Sequence, residues 1–124
     1  MMINPKRGEL WLVDLNPTRG QEIQKTRPVI VISSNFLVSI PMRIIIPVTS
    51  WQAKFENRPF MVKISVTPKN KLTCDSAGNV LQVRSISTER FVKKIGQISD
   101  DLLKELREHL TFAMSVNTYS NKRK

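Results

Sequence analysis

Two strand ends in this chain hold residue types suited to acting on a phosphate. Arg27 opens the run "RPVIVIS", where Pro28 holds it extended, and Thr49, followed by Ser50, closes "RIIIPVTS". A guanidinium offers a planar fork of donors that fits phosphate oxygens and stays charged at any working pH. A threonine hydroxyl can donate to one of the same oxygens. Strand ends also fix their side chains better than free loops do. Pattern alone nevertheless favours a structural account, in which Arg27 pairs with a carboxylate and Thr49 makes a turn hydrogen bond.

Other catalytic signatures are missing. The sequence has no Walker-type loop, no GxGxxG, no HExxH, and no paired Cys or His at metal-ligand spacing. No metal or nucleotide cofactor is therefore expected. His109 is the only histidine and falls inside a helical pattern, where it reads as a surface residue favourable to the helix dipole rather than a general base. Cys74 is the only cysteine, which suits a reducing, cytoplasmic location. The start "MMINPKRGEL" has no apolar core of a signal peptide, and the runs "VIVI" and "IIIPV" are far too short to span a membrane.

The charge balance narrows the partners. Twenty Lys and Arg against ten Asp and Glu give a net charge of +10 on 124 residues, a surplus that points to a polyanion. Nucleic acid comes first, an acidic protein second, and simple solubility is the plain alternative. The length allows one domain, expected over residues 1–116, with the basic tail "NTYSNKRK" expected to fray over 117–124.

These side chains need a scaffold. "GELWLVD", "RPVIVIS", "RIIIPVT", "PFMVKISV", "VLQVRSI" and "FVKKIGQI" read as short strands. In "PFMVKISV", alternation places Phe60, Val62, Ile64 and Val66 on one face and Lys63 on the other. "TPKNKLTCDSAGN" is dense in turn formers and reads as an exposed loop. "SDDLLKELREHLTFAMSV" is a helix capped by Ser99, with Asp100 and Asp101 in its first turn and a stripe of Leu102, Leu106, Leu110 and Ala113 or Met114. The expected fold is mainly β with a C-terminal helix, a strongly curved sheet or small barrel closed on one side by that stripe.

On the stretches "KRGELWLVDLNPTRGQE", "TRPVIVIS", "IIIPVTS" and "VLQVRSIS", in that order and spacing, the sequence resembles the MazF, Kid and PemK family of toxin endoribonucleases from toxin–antitoxin pairs. The match runs from Pro5 to Val116. It implies an SH3-like β-barrel with a C-terminal helix, a homodimer, and metal-independent cleavage of single-stranded RNA to 2′,3′-cyclic phosphate and 5′-hydroxyl ends. An acidic antitoxin partner is implied with it. The family's catalytic arginine falls on Arg27, its threonine on Thr49, and the acid that some members carry in the first loop on Glu22.

The resemblance also casts the loop from Asn16 to Thr26 as a flap over the RNA, with Arg19, Gly20 and Lys25 as contacts. The segment "SWQAKFENR" supplies Ser50 and exposes Trp51 and Phe55 beside Lys54 and Arg58, a mixture on which unstacked bases can rest. Trp51 half-buried at a dimer contact is the alternative. Gln82, Arg84 and Ser85 join as further groove residues; for Gln82 the plain reading is pairing within a strand. A rival with the same fold is a non-enzymatic gyrase inhibitor of the CcdB kind, but the basic tail here is unlike the apolar terminus of those poisons.

Overall fold

The computed structural model describes residues 3–15 and 26–115. It contains seven strands, β1 (Glu9–Asp14), β2 (Thr26–Val31), β3 (Met42–Ser50), β4 (Met61–Ile64), β5 (Ser76–Asn79), β6 (Arg84–Ser87) and β7 (Phe91–Gln97), followed by helix α1 (Asp100–Met114). All pairings are antiparallel, and the strand order is β4-β5-β3-β2-β1-β7, with β6 also paired to β3. The sheet is barrel-like but not closed: β4 and β7 stand at the two ends of that order. This is the mainly β fold with a C-terminal helix that the sequence led us to expect.

Alternation along the strands divides the apolar residues between two faces. Leu10, Ile30, Ile46, Val48, Val62, Ile64 and Val80 pack with Leu103 and Leu106 of α1. Trp11, Val13, Val29, Val31, Ile45, Ile86 and Phe91 form a second cluster, in which the Trp11 and Phe91 rings meet edge to face at 5.6 Å. A smaller third cluster joins Phe55, Met61 and Ala77. Helix α1 begins as its sequence requires: the Ser99 hydroxyl accepts from the Leu102 N–H at 3.1 Å, and Asp100 and Asp101 occupy the first turn.

Several expectations are corrected. The segment Ser76–Asn79, inside the stretch read as an exposed loop, is the buried strand β5. Its composition of small residues serves close packing, because a Cβ on Gly78 would stand 3.1 Å from Leu106 Cδ2 and 3.5 Å from Ile46 Cγ2. "VLQVRSI" is not one strand: Val80–Gln82 is a turn of 3₁₀ helix, and β6 starts at Arg84. β4 is shorter than "PFMVKISV"; Val62 and Ile64 are buried and Lys63 exposed as expected, whereas Val66 is exposed. On α1, Leu103 and Leu106 are the buried pair, Leu102 and Leu110 are only partly covered, and Ala113 and Met114 are exposed. Only Leu103 and Leu106 of the helix belong to the core cluster, with Leu102 and Leu110 packed at its margin. The tail expected to fray lies outside the described residues.

Candidate active site

The site grows from the register of β2 on β3. Val31 pairs with Ile45, Ile30 with Ile46 and Val29 with Pro47; two residues further, on the same face, the register brings Arg27 level with Thr49. Both side chains line one cleft of about 310 Å³, together with Gln82, Arg84, Asn79 and the rim residue Leu15. The sequence placed them at strand ends that can lie side by side. The fold puts them there.

The cleft exists because the strand facing β3 loses its pairing. From Ile45 to Val48 β3 advances three residues, while the facing strand, from Arg84 back to Gly78, uses six. Pro47 sits in that gap. The Ile44 carbonyl accepts from Ile32 N–H at 2.9 Å and so faces β2, whereas Trp51 N–H donates to Asp75 O at 3.0 Å and faces the β5 side. Backbone directions alternate, so the nitrogen of Pro47, which carries no hydrogen, points at the facing strand where a ladder bond would be needed. The three surplus residues leave the ladder as the 3₁₀ turn Val80–Gln82, whose Leu81 N–H is capped by Asn79 Oδ1 at 3.0 Å. Val80 anchors the turn in the core, and Gln82 and Arg84 are left on the cleft rim. Gln82 therefore does not pair in a strand, and the plain reading of it is corrected.

Electrostatically the cleft suits an anion. Two guanidiniums, Arg27 and Arg84, line it, both exposed, and no carboxylate does so among the described residues. Neither arginine has an ion-pair or hydrogen-bond partner among those residues, and the Thr49 hydroxyl likewise makes no hydrogen bond there. The structural account that pattern alone favoured is thus absent from this part of the molecule. Glu22, Arg19, Gly20 and Lys25 lie outside the described residues.

The segment after β3 departs from expectation at one residue. Phe55 is buried with Met61 and Ala77 and is not an exposed platform. It braces Trp51 edge-on, with ring centroids 5.7 Å apart and planes at 80°. Trp51 is half-buried, Lys63 Nζ lies 5.3 Å from its ring centroid, and the Arg58 guanidinium lies 5.8 Å from that of Phe55. Lys54 and Ser50 are exposed, and Ser50 Oγ lies 3.7 Å from Cys74 Sγ. Ser50, Trp51, Lys54 and Arg58 do not line the cleft itself; Trp51 stands two residues beyond Thr49, just past the end of β3.

His109 does not act on the helix dipole alone: its Nδ1 is hydrogen-bonded to the Pro59 carbonyl, tying α1 to the loop before β4. Sequence reasoning missed Asn79 as a cleft residue, although "GN" before an apolar run is a signal for a capped turn. It also gave no role to Lys63.

A family model described as PemK-like, MazF-like toxin of type II toxin–antitoxin system matches residues 6–114. Endoribonuclease MazF9 of Mycobacterium tuberculosis is 39% identical over 117 residues, which cover 90% of this chain and 97% of that protein. Among solved structures, a MazE–MazF complex from Deinococcus radiodurans superposes with a TM-score of 0.73 at 23% identity, covering 92% of this chain and all of that one. An endoribonuclease in complex with its cognate antitoxin, from a mycobacterial species, gives 0.67 at 17% identity over 91% and 95% of the two chains. At those identities the structures speak for the fold alone.

Proposed function

Because this chain belongs to the PemK-like, MazF-like toxins of type II toxin–antitoxin systems, we propose that it cuts single-stranded RNA, mRNA above all, at short sequence motifs, with Arg27 and Thr49 as its catalytic residues. The observation that carries this reading is their convergence, level with each other on adjacent strands, in a cleft whose described residues include two arginines and no carboxylate.

The chemistry follows from those groups. The 2′-oxygen attacks the adjacent phosphorus, the bond from phosphorus to the 5′-oxygen breaks, and the products are a 2′,3′-cyclic phosphate and a 5′-hydroxyl that takes up a proton. Negative charge gathers on the non-bridging oxygens in the transition state, and a fixed cation stabilises it most. Arg27 supplies that cation, while its high pKa makes it a poor proton donor. Thr49 donates to a phosphate oxygen and holds the scissile group in line. Arg84 and Gln82, on the opposite rim, hold the neighbouring backbone. Glu22, in the segment between β1 and β2, is the acid assigned to take the 2′ proton or to position Arg27.

The partners follow from charge. A toxin of net charge +10 suits an acidic antitoxin whose disordered segment competes with RNA for the same groove. We assign the chain to a homodimer in the cytoplasm; no helix among the described residues is long and apolar enough to cross a membrane. A gyrase inhibitor of the CcdB kind is not favoured, since the relative with 39% identity is named an endoribonuclease.

The test is to incubate the purified protein with a long RNA in EDTA and map the ends. Discrete cuts with cyclic-phosphate ends, abolished by Arg27→Ala in a folded protein, are expected. Undiminished cleavage by that variant removes Arg27 from the mechanism.

A further inference from the structure

Resting on the RNA-cleaving reading above, we propose that the open seam of the barrel is a second RNA-binding site, which seats the strand flanking the scissile phosphate. A groove of about 1320 Å³ lies between the two edge strands, with Lys63 of β4 on one side and Lys94 to Gln97 of β7 on the other. Four lysines line it, Lys63, Lys69, Lys71 and Lys94, against one acid, Asp100. Lys94 is paired with Glu9 at 3.1 Å; the other three have no carboxylate partner among the described residues.

Lysines at sheet edges also discourage edge-to-edge pairing, and Lys63 and Lys94 can be explained that way. Lys69 and Lys71 cannot, because they sit on the loop between β4 and β5. That loop is rigidly built. Asn70, 2% exposed, accepts from the N–H groups of Thr67 and Leu72 and donates to the Ser65 carbonyl. Gln97 N–H donates to the Lys69 carbonyl at 3.1 Å, and Gly96 leaves room for this, since a Cβ there would fall 2.5 Å from the carbonyl oxygens of Lys69 and Asn70. Lys71 is held at φ 55°, the left-handed region that a lysine adopts only when its surroundings impose it. The buried asparagine thus fixes two cationic neighbours at the groove.

Continuity with the catalytic cleft points to RNA as the occupant. Thr49 pairs with Ala77, and Ala77 with Lys63, so Thr49 and Lys63 share one face two strands apart, about 10 Å between backbone positions. Trp51 lies beside this row, with the Lys63 ammonium over its ring. A strand leaving the phosphate at Arg27 and Thr49 passes Trp51 and Lys63 and enters the groove within a few nucleotides.

The experiment uses the full chain and the variant K63A/K69A/K71G. Glycine suits the backbone of Lys71, so loss of charge there is separated from loss of folding, which urea denaturation checks. The probe is a long RNA carrying 2′-deoxyribose at a mapped cut site, compared with a short fragment around the same site. The expected result is affinity for the long RNA reduced about tenfold or more and a log–log salt slope shallower by about 2, as follows when three ammonium groups no longer meet the phosphates of a single strand. The advantage in KM of a long cleavable RNA over the short fragment should collapse with it. Equal affinity and slope for wild type and variant overturn the proposal, as does weakened binding of poly-glutamate without any change toward RNA, which would give the groove to an acidic protein. If the wild type cuts RNA but the variant matches it at every length, only the groove falls. A wild type that neither binds nor cuts RNA overturns both readings.

Discussion

Arg27 and Thr49 lie level on adjacent antiparallel strands, two residues beyond the Val29–Pro47 pair, and line the same cleft. They come from the two arms of one hairpin, β2 and β3, joined through the 3₁₀ turn Asn35–Leu37, and the sheet register brings them together. Arg27 has no partner among the described residues, which leaves its donors available to a phosphate.

Replacing Arg27 with alanine should reduce kcat for RNA cleavage at least about 100-fold, the scale on which removal of a preorganised oxyanion donor is felt. Stability should move by no more than about 0.5 kcal/mol, since the side chain is exposed and has no partner among the described residues. Arg27→Lys keeps the charge but loses the fork and should recover only part of the activity. Single-turnover kinetics beside urea denaturation check both expectations.

Thr49→Val keeps the shape of the side chain and removes its hydroxyl. If the hydroxyl donates to the phosphate, kcat falls by one to two orders of magnitude, on the order of 1.5–3 kcal/mol for a hydrogen bond to a charged group, while Thr49→Ser stays near wild type. Equal rates for the valine and serine variants would leave Thr49 as packing only.

Stability at acid pH should depend on Glu9. Burial pushes its carboxyl upward, but the Lys6 backbone N–H, the Trp11 indole N–H and the Lys94 ammonium outweigh this and hold it below the usual glutamate value. A carboxyl whose folded pKa lies below its unfolded one stabilises the fold above the unfolded value, and that stabilisation disappears as pH falls through the folded value. Glu9→Gln should therefore be less stable than wild type at neutral pH and should approach it in acid. Urea midpoints measured across pH 2 to 7, on the order of the carboxylate range, show the convergence.

Arg43 should behave in the opposite way to Arg27. It is 4% exposed, and its guanidinium donates to the carbonyls of Pro5, Ile40, Met42 and Val38 and to Asn4 Oδ1, at 2.6 to 3.2 Å. Arg43→Met strips those acceptors of their donors and should cost about 3 kcal/mol or more. Such a loss appears in the urea midpoint; a variant as stable as wild type would contradict this network.

Leu106→Ala tests the contact between helix and sheet. Leu106 is fully buried and meets Gly78 of β5, so the truncation should cost about 2–5 kcal/mol. Thermal or urea unfolding reads it directly.

Strands β1, β2, β3 and β7 and the start of α1 were legible in the sequence, because β-branched runs and a capping serine act locally. β5 was not. "SAGN" has the composition of a turn, and it forms a strand because Leu106 and Ile46 leave no space for larger side chains beside Gly78. The burial of Phe55 was hidden for the same kind of reason: it sits in the 3₁₀ turn Ala53–Phe55, and its partners Met61 and Ala77 come from β4 and β5.

The two arginines show where local reading stops. "RPVIVIS" and "RIIIPVT" present the same pattern, an arginine before an apolar run, and by sequence alone either can be structural or chemical. The basic surplus, the strand types, the capped helix and the resemblance through Arg27 and Thr49 were all in the residues themselves. Which guanidinium is spent on backbone carbonyls and which is left facing a cleft depends on the chain segments that fold around it. Burial and partnering are properties of space, and only the tertiary structure assigns them.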